Sequence, residues 1–103
     1  MNIGILCSRV RVEEKALFAA LRERGVEHER IDARRVTIEL SSREAMAYDA
    51  VLVRCLSHTR AYYLTRWLGH LGIPSVSSHH TVSVYGDKVL TQFAMEEARI
   101  PTP

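Results

Sequence analysis

A chain of 103 residues can bury one hydrophobic core and not two, and 47% hydrophobic with 25% charged residues excludes collagen-like, disordered and disulfide-scaffold classes. A net charge of +2 is too small to draw nucleic acid or an anionic membrane by bulk electrostatics, so neither is expected as a partner and any anion specificity must be local. Lysine occurs only as Lys15 and Lys88 among many arginines, a bias that fits either bidentate anion sites or genome composition. Cys7 and Cys55 lie in no metal-spaced or C-x-x-C pattern and read as buried free thiols. Met1 runs straight into a strand-like segment with no leader-like stretch, so a reducing cytoplasm is the expected compartment.

Ile3 to Cys7 is a short apolar run of the kind found in strands buried on both faces. From Glu13 to Arg24 the period changes to helical, with Leu17, Phe18, Ala20 and Leu21 inward, Glu13, Glu14, Arg22 and Glu23 mostly outward, and Gly25 as the stop. Val26 to Ile31 alternates weakly, as an outer strand does. Residues 33–48 are expected to hold a small extra strand or hairpin, and Ala50 to Val53 a further buried strand. Ser57 has the chemistry of a helix cap, followed by Ala61, Leu64, Leu68 and Leu71 on one face until Gly72 and Pro74 end the helix. Ser75-Val76-Ser77 reads as a fourth strand, Ser78 as the cap of a single turn to Val84, and Asp87 to Arg99 as a last helix offering Val89, Leu90, Phe93 and Ala94 to a neighbour.

Strands alternating with helices predict an α/β fold of three layers: a four-stranded parallel sheet in the order 2-1-3-4, with right-handed crossovers and helices on both faces. Ligands of such sheets bind beyond the carboxyl ends of the strands. The first strand delivers Ser8 and Arg9 there, the third Arg54 and Ser57, and the fourth Ser77 and Ser78. The absence of glycines in Cys7-Ser8-Arg9-Val10-Arg11 argues against a dinucleotide site, and arginines stand where a phosphoacceptor would need carboxylates. Arg54, Ser57 and Arg60 suit a carboxylate or phosphate at a helix N-terminus. They are equally consistent with a capped helix and solvated surface arginines. His79-His80 are adjacent and make a poor two-ligand metal face, and Tyr63 with Trp67 fits core packing or a subunit contact.

The last third, Leu71-Gly72-Ile73-Pro74-Ser75-Val76, then Tyr85-Gly86-Asp87-Lys88, then a helix ending in Glu97-Ala98-Arg99-Ile100-Pro101, resembles the end of the pre-ATP-grasp domain of ATP-grasp carboxylate-amine ligases. Val53-Arg54-Cys55-Leu56-Ser57-His58-Thr59-Arg60 is similar to the R-C-x-S-x-x-R stretch of the lysine-biosynthesis branch, which ligates α-aminoadipate to an acidic amino-group carrier protein. RimK-type ligases, which add glutamate to a protein C-terminus, share the arginine alone. The resemblance implies a small Rossmann-like pre-ATP-grasp domain over 1–85, with 86–103 as a linking helix into the ATP-grasp region. It further implies a parent enzyme that forms an amide through an acylphosphate, uses ATP and Mg2+, and assembles as a homo-oligomer with catalytic lobes and magnesium ligands outside this sequence. Lys88 corresponds to the family's contact to the ATP phosphates, while Arg54, Ser57 and Arg60 would line the side of the acceptor or acidic carrier tail. Ser77-Ser78 stand where relatives often have asparagine. The competing reading is a stand-alone, non-catalytic binding or oligomerisation module.

Overall fold

The computed structural model describes residues 1–36 and 48–102. Its elements are β1 (Asn2–Cys7), α1 (Val12–Glu23), β2 (Glu27–Asp32), β3 (Ala50–Val53), α2 (His58–His70), β4 (Ser75–Val76), α3 (His79–Tyr85) and α4 (Lys88–Glu97). The strands form one parallel sheet in the order β2-β1-β3-β4, as the alternation of elements predicts. The extra strand or hairpin expected within 33–48 falls mainly on 37–47, outside the described residues.

β1 is central, and its residues Ile3 to Cys7 are all buried. Successive side chains point to opposite faces, so Leu6 of β1 and Val51 of β3 meet Leu64 and Leu68 of α2, with Ala33 and Ile73 closing the cluster. Each large aliphatic side chain placed there contributes about 1.5–3 kcal/mol of burial. α2 starts where Ser57 Oγ accepts the Arg60 N–H at 3.3 Å, one of the orphan donors of a first turn. Gly25 (φ 66°) and Gly72 (φ 76°) end α1 and α2 in the left-handed region that only glycine enters cheaply.

Three features depart from the sequence reading. Glu14, expected mostly outside, is the one fully buried residue of α1, because two arginines neutralise it. α3 is longer than a single turn, capped by Ser78 and anchored by the buried Val82. α4 ends at Glu97 rather than Arg99: Arg99 is left-handed (φ 57°), and the N–H groups of Arg99 and Ile100 return to the carbonyls of Glu96 and Met95 at 3.0 and 2.9 Å, a Schellman-like closure. α4 buries no residue, and Val89, Leu90 and Phe93 are exposed. No cover for that face is found among the described residues, none of whose helices is long and apolar enough to cross a membrane.

Candidate functional site

The strand order reverses between β1 and β3, which places the topological crevice beyond their carboxyl ends. An open groove of about 560 Å³ occupies that position, lined by Ser8, Arg9 and Val10 after β1, by Leu56, Ser57 and Arg60 at the start of α2, and by Arg30 and Arg34 from the β2 side. Four guanidiniums and the amino end of a 13-residue helix thus surround one opening, a field suited to several negative charges. Among the described residues, the ion pairs that reach this groove run through Arg34, whose Nε lies 3.3 Å from Asp32. Hydrogen bonding from Arg34 holds the Asp32 carboxyl below the usual carboxylate range.

Ser57 and Arg60 therefore meet in one groove, joined by Arg9, which the β1 end already offered. Arg30 and Arg34 are additions from the structure. Arg30 stands opposite Ile5 in the parallel register of β2, and Arg34 follows the end of that strand. Applying the carboxyl-end rule to β2, as to the other strands, brings Arg34 to notice, whereas Arg30 lies within the strand.

Arg54 sits elsewhere. It lines a second open hollow of about 510 Å³ with Glu13 and Leu17 of α1, Leu52 and Val53 of β3, and Val76 and Ser77. Its Nε lies 3.7 Å from Glu14 Oε1, the same oxygen that Arg11 Nη2 approaches at 2.6 Å. Arg11 Nε donates to both Glu14 oxygens at 3.2 Å, and the Arg11 backbone N–H reaches Oε2 at 3.3 Å. Hydrogen bonding from Arg11 outweighs the opposing effect of burial and lowers the Glu14 carboxyl from 4.5 to about 2. Arg54 is thereby tethered on one side while its side chain remains about 40% exposed to the hollow.

Lys88 is the first residue of α4 and is exposed. Asp87 Oδ1 caps this helix by accepting the N–H groups of Val89 and Leu90 at 2.8 and 3.0 Å. Gly86 lies against the imidazole of His58, which a Cβ at that position would meet and displace. His79 is half-buried between helices, its Nδ1 lying 3.1 Å from the Tyr62 carbonyl and 3.2 Å from Thr65 Oγ1. Cys55 is a half-buried thiol pushed up to about 11 by burial and so unsuited to nucleophilic work. Among the described residues no three His, Cys, Asp or Glu side chains converge as metal ligands.

The chain matches known proteins along its whole length. Residues 3–84 match the family model described as the LysX preATP-grasp domain. The Glutamate--LysW ligases ArgX of Sulfolobus acidocaldarius and Sulfurisphaera tokodaii are 28% and 29% identical over 103 residues, which is all of this chain and 36% of each relative. A RimK domain protein ATP-grasp from Sphaerobacter thermophilus superposes with a TM-score of 0.85 at 25% identity, over 100% of this chain and 40% of that one. The chain spans little more than a third of the curated relatives it matches. With the sheet order and a family match over residues 3–84, the protein belongs to the LysX pre-ATP-grasp domain family.

Proposed function

We propose that this domain forms the front wall of an ATP-dependent ligase that joins a dicarboxylic amino acid to an acidic carrier protein through an amide bond. The observation that carries the reading is the four-arginine groove at the point where strand order reverses. Ser57 and Arg60, with Arg9, Arg30 and Arg34, would hold the acidic carrier segment. Arg54, kept in place by Glu14, would face a carboxylate of the incoming amino acid from the neighbouring hollow. Lys88 would contribute a compact positive charge to the ATP phosphates. Residues 86–103 are read as the linking helix toward the ATP-grasp lobes, in keeping with α4's lack of buried residues. Two unpaired thiols suit the cytoplasm.

In the reaction, a carboxylate oxygen attacks the γ-phosphorus of ATP, the bond to the bridging oxygen breaks, and ADP leaves. The amine lone pair then attacks the acylphosphate carbonyl, phosphate departs, and the amine loses a proton to give the amide. Magnesium supplies charge neutralisation in the first step, and its ligands are assigned to the lobes beyond this chain.

The resemblance favours α-aminoadipate and a place in lysine biosynthesis, whereas the curated relatives act by name on glutamate and LysW. The two amino acids differ by one methylene, which discriminates by about 10- to 200-fold at most in an apolar pocket. Competition between them in the complete protein decides which is used. In the same assay Lys88→Ala is expected to raise KM for ATP about tenfold, a lost charge-assisted contact. Arg60→Ala is expected to raise KM for the carrier alone by a similar factor. Unchanged ATP kinetics in Lys88→Ala would remove Lys88 from the site, and an effect of Arg60→Ala on ATP alone would show that the groove faces the nucleotide.

A further inference from the structure

α4 carries Lys88 at its first position yet buries no residue, so the domain core does not aim it. What fixes its direction is the joint between α3 and α4. Thr91 Oγ1 lies 2.9 Å from the Val84 carbonyl and 2.8 Å from that of Asp87 and closes the joint from the α4 side. From the other side it is met by the His58 ring, which fills the space a side chain at Gly86 would need. The same ring stands edge-on to Tyr85 at 6.0 Å between centroids and tilted to Tyr62 at 6.2 Å. Tyr62 in turn packs on His79, the first residue of α3, at 4.8 Å.

His58 is also the residue immediately after Ser57, the cap that lines the arginine groove. One end of α2 therefore touches both the carrier groove and the joint that aims Lys88. We propose that His58 is a positioning residue, a brace between the groove and the joint that holds the first turn of α4 in register with the bound nucleotide. Gly86 is its counter-surface: a side chain there displaces either the exposed ring or the joint. The proposal rests on the assignment of Lys88 to ATP.

The test is a double-mutant cycle in the complete protein with His58→Ala, Gly86→Ala and the double variant, read by KM for ATP, by kcat and by amide hydrogen exchange in the first turn of α4. A displacement of about 1 Å at a binding group costs up to about a hundredfold. Gly86→Ala alone is expected to raise KM for ATP about tenfold, and His58→Ala about threefold with faster exchange at Val89 and Leu90. The double variant should lie close to His58→Ala, because removal of the ring makes room for the new methyl group. A role in stability alone would show the same relief in the melting temperature, but neither faster exchange confined to Val89 and Leu90 nor a change in KM for ATP. Strictly multiplicative effects of the two substitutions would overturn the brace, as would unchanged exchange in His58→Ala. Faster exchange and mutual relief with KM for ATP unmoved would confirm the brace and instead overturn the role of Lys88, an outcome that Lys88→Ala reports independently.

Discussion

Glu14 lies fully buried on the first turn of α1 because Arg11 and Arg54 converge on it from a loop and from the end of a strand. Its helical position reads as solvent-facing in the sequence, since amphipathic patterning sends charged residues outward. The partner that reverses this, Arg54, is distant in sequence, so no local pattern could announce the pair. The same holds for Arg30, a charged residue on an outer strand, where a solvated side chain is the ordinary expectation. Ser57, by contrast, was legible as a cap because capping is chemistry within a single turn. The Glu14 carboxyl titrates at about 2 in the folded chain against 4.5 for an unperturbed glutamate. A carboxyl lowered in this way stabilises the fold fully above 4.5, and the contribution is lost as pH falls toward 2. Glu14→Gln should therefore lower the melting temperature at neutral pH and flatten its decline through that acid window. Parallel acid profiles for the two proteins would contradict the ion pair.

Among the elements, the strands and α2 were readable because burial imposes their periods: a continuous apolar run for β1, and three-and-four spacing for Ala61, Leu64 and Leu68. The end of α4 was less readable, since its stop is a left-handed Arg99 and neither a glycine nor the proline two residues later. Residues 37–47 lie outside the described structure and leave the expected hairpin there without comparison. α4 depends on its cap to an unusual degree, because no buried side chain supports it. Asp87→Ala removes an acceptor for two backbone N–H groups and should destabilise the helix start by about 1 kcal/mol. The loss belongs to local opening. Amide exchange is expected to accelerate at Val89 and Leu90 while the amides of β1 keep their protection, and uniform acceleration would show that α4 is integral to the core.

At the scale of the molecule, a net charge of +2 conceals a strong separation, with four arginines gathered around a single groove. Composition could exclude a diffuse basic face but could not disclose a concentration made by β2, the β1 loop and α2 together. The sheet order was legible because parallel neighbours need crossovers of fixed hand. Carrier association is expected to slow at least about tenfold between low and physiological ionic strength, as electrostatically steered encounters do. A salt-independent rate would show that the groove does not steer the carrier. The helix that follows Tyr85 has a different implication. A crossover point between Tyr85 and Gly86 would leave the sheet and its first three helices whole on one side of the join. A graft at that join is expected to keep the sheet folded with a relative's α4 attached, and it needs a small residue at the position of Gly86, just ahead of the Asp87 cap, to leave room for the His58 ring.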